Sequence, residues 1–204
     1  MAFTAKEKSD YKPIPEGTHR AVSSALVDLG LQDAFGIPKP QLMIRFEFPD
    51  LRANRIENGV QIDEPMVKWQ FYTNSLNKKA NLRRDLDGWR GRGFTKEELE
   101  GFDVRNVIGH ACQISIIHDN SGDRVKDKIN NISKLMGDGA KPLPELEVIS
   151  YSRDEGEIQQ WNLLPEWIQE KINQQLDDDI SPPPVQVDDD SFEDDDVPFD
   201  QEEA

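Results

Sequence analysis

The sequence predicts a mainly β domain: a small antiparallel barrel of five or six strands, with helical residues inserted between the third and fourth strands, a C-terminal helix, and then a disordered tail. Three observations predict it. Apolar and polar residues alternate with period two at 41–48 and 66–72, as in strands with one buried face. Helix formers are concentrated between such runs, from Ser75 to Glu98. At Asp177 the composition breaks: the last twenty-eight residues carry thirteen carboxylates and no Lys or Arg, too little apolar surface to offset chain entropy.

In chain order, Gly17 to Leu31 is β-compatible and reads as strand one, closing before Pro38 and Pro40. Leu42, Ile44, Phe46 and Phe48 alternate with Gln41, Met43, Arg45 and Glu47 to give strand two, with Pro49 as its stop. In strand three, Val67, Trp69 and Phe71 form the apolar side, expected to face the core. Met66, Lys68, Gln70 and Tyr72 share the other face, so Tyr72 is a ring beside the charge of Lys68. Ser75 to Asp87 reads as a helix with Leu82 and Leu86 one turn apart, and Thr95-Lys96-Glu97-Glu98 has the spacing of a capping box that opens a second, short one. A glycine-rich loop joins them. Ala111 to His118 and Lys126 to Met136 form a hairpin turning at Ser121-Gly122-Asp123, with Ile129 and Ile132 as its apolar positions. After a proline-rich connector, Leu146 to Tyr151 is a last short strand. Pro165 sits at a first helical position, and Trp167, Ile168, Ile172 and Leu176 form the apolar stripe of a helix over 165–176. Residues 1–176 are therefore expected to be one domain and 177–204 its acidic tail, with Ser181-Pro182-Pro183-Pro184 stiffening the exit.

The formal charge is −16, yet thirteen of the 40 acids lie in the tail, leaving 27 acids against 24 cations in residues 1–176. A nearly neutral body attached to a polyanion does not exclude a polyanionic partner, because local charge decides binding. One cysteine, Cys112, rules out an intramolecular disulfide and any cysteine-based metal cluster. No run has the length of a signal-peptide core or a membrane span, so a cytoplasmic protein with no membrane partner is expected.

Between Lys78 and Lys96 seven cations, Lys78, Lys79, Arg83, Arg84, Arg90, Arg92 and Lys96, face only Asp85 and Asp87 before the capping acids begin. This is the footprint expected of a phosphate-binding surface. Trp89 and Phe94 stand among these cations, and Lys128 and Lys134 share one face of the later hairpin strand. Cations neutralise phosphates while aromatic faces stack on unpaired bases whatever their sequence. The candidate DNA-binding residues are thus Lys68, Tyr72, Lys78, Lys79, Arg83, Arg84, Trp89, Arg90, Arg92, Phe94, Lys128 and Lys134.

Two sets of motifs carry a family likeness. Asp194-Asp195-Asp196-Val197-Pro198-Phe199 resembles the acidic tail end of bacterial single-stranded-DNA-binding proteins, which replication and repair enzymes dock. The body is similar to phage-encoded single-stranded-DNA-binding proteins of the oligonucleotide-binding fold. That similarity lies in 11–18, in Asn81-Leu82-Arg83-Arg84 with Trp89-Arg90-Gly91-Arg92 and Phe94-Thr95, in Ile108 to Cys112, and in Leu164 to Ile168. The resemblance implies coating of single-stranded DNA during phage replication or recombination in a bacterial host cell. It also implies that Asp194, Asp195, Asp196, Val197, Pro198 and Phe199 recruit replication or recombination proteins. The chain departs from the bacterial pattern in that Phe199 is followed by Asp200-Gln201-Glu202-Glu203-Ala204, so Asp200 would have to stand in for a terminal carboxylate.

His19, His110 and His118 lack ligand spacing, and no Walker loop or nucleophile elbow is present, so neither catalysis nor a cofactor or metal is expected. The alternative function is an acidic DNA-mimic inhibitor of a DNA-processing enzyme. It ranks second because the body keeps its 24 cations. Strand annealing would need the same groove plus self-association into a homo-oligomer, which the sequence leaves open.

Overall fold

Seven consecutive residues, Ala21 to Val27, are buried, which a strand with one solvent face cannot achieve. They belong to β1 (Gly17–Ala34), which is packed on both sides. The structure is a computed structural model and describes residues 12–34, 36–53, 55–57, 60–122, 124–137, 139–153 and 158–176. The acidic tail, with Phe192 and the motif from Asp194 to Phe199, lies outside the described residues.

β1 pairs antiparallel with β2 (Ile37–Arg52), and β2 pairs with β5 (Pro65–Thr73). On the other edge of β1, Gly17 to Val22 pair with β6 (Ala111–Asp119), which continues into β7 (Lys126–Lys134). Further along that edge Ala25 to Val27 take up β8 (Ile149–Tyr151) in parallel. The result is a six-stranded sheet of order β5-β2-β1-β6-β7 with β8 beside β1, plus a separate hairpin of β3 (Arg55–Glu57) and β4 (Val60–Ile62). Between β5 and β6 run α1 (Asn81–Arg90), α2 (Lys96–Glu100) and a 3-10 turn at Val104–Val107. α3 (Ile158–Leu163) and α4 (Glu166–Asn173) end the described chain. The fold is mainly β, and helices fall between the third and fourth strands of the main sheet, as expected. The β3-β4 hairpin, α3 and the 3-10 turn have no counterpart in the sequence reading.

Two bulges shape β1. Ser24 is an extra residue between the pairs Ser23–Phe46 and Ala25–Arg45, and Leu29 is another between Asp28–Leu42 and Gly30–Gln41. Gly30 takes φ +67°, and its N–H bonds Asp28 Oδ1 at 3.0 Å. The inner core gathers Leu26, Ile44, Phe46, Phe48, Leu82, Leu86, Trp89 and Ile114. A second core, on the opposite face of the sheet, joins Ala25, Val27, Leu29 and Met43 to Ile149, Leu164, Ile168 and Ile172. Strand two was expected to keep Met43, Arg45 and Glu47 on an open face; all three are buried.

Three further expectations are corrected. β1 does close before Pro38, at Ala34, but strand two begins at Ile37 rather than at Gln41 and takes in Pro38 and Pro40, because residues 37–40 pair only with β1 and the missing N–H leaves no gap in a ladder with β5. The faces of β5 are inverted: its register sets Lys68 opposite Phe46 and Tyr72 opposite Leu42, both inward, and so turns Val67, Trp69 and Phe71 outward. Pro165 is the N-cap of α4, and of the expected stripe Ile168 and Ile172 are buried while Trp167 is exposed.

The sheet curls until its outer strands are bridged by a side chain: Lys68 Nζ in β5 donates to the Asp127 carbonyl in β7 at 2.5 Å and lies 3.2 Å from Asp127 Oδ1. α1 packs across this end, over β7 and β5. Gly88 permits the approach, since a Cβ there would stand 2.3 Å from the Ile132 carbonyl oxygen. No helix among the described residues is long and apolar enough to cross a membrane. Because the clash would fall on backbone, Gly88→Ala should cost about 1–3 kcal/mol and lower the melting temperature by about 2–10 °C. A thermal melt indistinguishable from that of the unaltered chain would show that α1 does not rest on the β7 backbone.

Candidate functional site

α1 ends where its glycine cap begins: Gly91 takes φ 68°, ψ 20°, and the Arg92 N–H returns to the Asp87 carbonyl at 3.2 Å. The chain then turns through Gly93 into Thr95, whose side chain accepts the Glu98 N–H while Glu98 Oε2 accepts the Thr95 N–H at 2.9 Å, the reciprocal cap expected from the sequence. A Cβ on Gly91 would lie 3.0 Å from Cδ of Lys134, so the lysine stem lies over the glycine and is placed by it. Trp89, two residues before Gly91, donates its indole N–H to the Ala111 carbonyl at 3.1 Å and packs on Phe46 at 5.4 Å.

Together these elements wall a groove of about 610 Å³. Arg90, Arg92, His110, Lys134 and Lys141 line it, with Glu98 as its one acid and Phe102 and Leu143 among its apolar residues. Arg90 is mostly buried, with its guanidinium 4.2 Å from the Phe94 ring and 5.2 Å from the Phe102 ring. Arg90 Nη2 also meets Glu98 Oε1. Arg92 reaches the same carboxylate with both ends of its fork, Nη2 to Oε1 at 2.6 Å and Nη1 to Oε2 at 2.9 Å. Arg92 first, then the Thr95 N–H, hold the Glu98 carboxyl down to about 2. Since the folded value is depressed, the clasp is complete above the ordinary carboxylate range and is lost only as pH falls through about 2.

The other expected site residues fall into three groups. Lys78 and Lys79 are exposed at the far end of α1, about 15 Å away by helix length. Arg83 donates to the Leu76 carbonyl at 3.1 Å and stands 3.8 Å from Asp87, Arg84 is exposed 3.2 Å from Asp85, and Lys128 is exposed and paired with Asp119 at 2.8 Å. These side chains do not line the groove. Lys68, Tyr72 and Trp89 are structural. Lys68 is the bridge described above, and Tyr72 is 3% exposed with its hydroxyl 2.9 Å from Asp85 Oδ2. Burial first, and Asp85 second, push its phenol well above the ordinary range. Trp89 is 6% exposed, and Phe94 lies half-buried edge-on to Phe102 at 5.0 Å. The cations of 78–96 thus do not form one continuous channel; Arg90, Arg92 and Lys134, with the edge of Trp89 in the wall, are the expected residues that the groove brings together.

Residues to which the sequence reading gave no binding role complete the picture. Lys141 and His110 reach the groove only through the fold, and no local pattern marks them. Among the described residues the exposed rings are Phe71, 43% exposed, and Trp167, 44% exposed, with centroids 6.4 Å apart; Trp69 meets Trp167 edge-on at 6.2 Å, and Lys171 Nζ is 5.5 Å from the Phe71 centroid. A cleft of about 190 Å³ runs beside Phe71 to Asn81 at the start of α1. No family model matches the chain, and no curated protein matches it.

Of the four tryptophans, Trp167 is the one with an open face. Acrylamide should therefore quench mainly Trp167, and Trp167→Phe should remove the larger part of the quenchable emission. Equal loss from Trp89→Phe would contradict the burial of that indole.

Proposed function

We propose that this protein binds single-stranded DNA without regard to sequence, using the cationic groove at the end of α1. The observation that carries the reading is the convergence of Arg90, Arg92, Lys134 and Lys141 on one groove, in a body whose charges as a whole nearly cancel. Phosphates would lie along Arg92, Lys134 and Lys141, with Arg90 held on Glu98 beneath them, and the exposed Phe71 and Trp167, outside the groove on the outer side of β5, offer faces for unpaired bases further along a strand. The curled sheet with its bridged outer strands and its helical insertion supports an oligonucleotide-binding barrel. On this reading the protein coats single strands in phage replication or recombination. The acidic tail competes for the groove and recruits partner enzymes.

A titration with dT oligonucleotides at several salt concentrations tests it. Affinity should fall steeply with salt, and Arg92→Ala with Lys134→Ala should weaken binding to every sequence alike while flattening the logarithmic salt slope by about 1.4, the value for two lost phosphate contacts. A chain ending at residue 176 should bind more tightly than the full chain. If that shortened chain ignores single strands at low salt while the full chain inhibits a DNA-processing enzyme, the DNA-imitating function replaces this one.

A further inference from the structure

Within the groove one carboxylate sits where a phosphate would be expected. Glu98 is the single acid of the lining, and the Arg92 fork grips both of its oxygens at 2.6 and 2.9 Å. A planar fork on two oxygens is the geometry in which guanidinium also takes phosphate. We propose that Glu98 is a built-in competitor for the groove's phosphate, and that a bound strand takes over Arg92 while Arg90 stays behind to keep Glu98 neutralised. This inference rests on the single-strand-binding reading of the groove.

The two arginines are built for different parts. Arg90 is mostly buried between the Phe94 and Phe102 rings, so leaving Glu98 would mean leaving its packing. Arg92 is more than half exposed and stands between Gly91 and Gly93, and a Cβ on Gly93 would meet nothing within 4 Å. Glu98 itself is anchored through the Thr95 cap. One partner is fixed, the carboxylate is fixed, and the second partner is free to swing. Arg92 is surface-exposed, so its exchange from carboxylate to phosphate sets affinity without blocking the site.

Glu98→Gln is the informative variant, because glutamine supports the same reciprocal cap and removes only the charge. With the full-length chain and a dT oligonucleotide, Glu98→Gln should bind roughly 2- to 5-fold more tightly, the scale of one exposed ion pair, with an unchanged salt slope. In an Arg92→Ala background the same substitution should gain nothing. Equal tightening with and without Arg92 would overturn the exchange in favour of general repulsion between Glu98 and the strand. Weaker binding by Glu98→Gln with a normal melting temperature would overturn it in favour of a purely structural clasp. If the variant does not fold, nitrogen NMR of the unaltered protein decides: added oligonucleotide should shift the Arg92 Nε resonance and leave that of Arg90 in place, and the reverse pattern refutes the proposal. Should the unaltered chain bind no oligonucleotide at low salt, the function and this inference both fall; should it bind while Glu98→Gln gains nothing, only the inference fails.

Discussion

The molecule depends on β1 being covered on both faces. A strand in that position has to satisfy an inner core, an outer core and two edges at once, and the Ser24 and Leu29 bulges let it change parity to do so. The outer covering is secured by charge. Arg45, in β2, donates to Ser24 Oγ at 2.8 Å and to the Glu147 carbonyl at 2.6 Å, with its guanidinium 5.6 Å from the Trp69 ring. Glu47, fully buried, accepts the N–H groups of Glu145 and Leu146 at 2.8 and 3.3 Å. A buried arginine and glutamate 3.8 Å apart are costly to desolvate, and burial lowers the affinity of Arg45 for its proton. Their hydrogen bonds to backbone offset that cost and at the same time dictate where 145–147 must lie. β8 and the helices that follow it are delivered to the outer face by this attachment.

How much of this could be read from the sequence differs from element to element. Alternation identified β2 and β5, strand-like composition between turn signals identified β1, β6, β7 and the short β8, and the Thr95 capping box was read correctly because its hydrogen bonds are local. Sidedness was harder. Val67, Trp69 and Phe71 are the more apolar set in β5, and alternation alone points them inward, but register with β2 is set by Phe46 and Leu42 across the ladder, and it turns Lys68 and Tyr72 inward instead. The strand count and the helical insertion anticipated a β-rich fold with helices between its third and fourth strands, yet they could not say which cations meet. Lys134 and Lys141 join Arg92 only because β7 returns beside the end of α1.

The charge pattern also changes meaning in three dimensions. A +5 segment looks like an uninterrupted footprint, but Arg83, Arg84, Arg90 and Arg92 each stand near a carboxylate contributed by α1 or α2. Much of that positive charge therefore organises a helix and its cap. What is left for a ligand is concentrated in a few side chains at the groove, and the aromatic surface lies elsewhere, at Phe71 and Trp167, on the outer side of β5.

Trp89 belongs to two environments: its ring packs on Phe46 in the inner core, and its edge forms part of the groove wall. The wall cannot move away without breaking the Ala111 carbonyl bond and exposing the core behind it. Amide protons along Trp89 and Ala111 should consequently exchange with solvent only through openings close in free energy to global unfolding. A wall of this kind would present itself to any ligand already formed, so that little ordering entropy would be lost along it and what rearrangement remains would fall on exposed side chains at the rim.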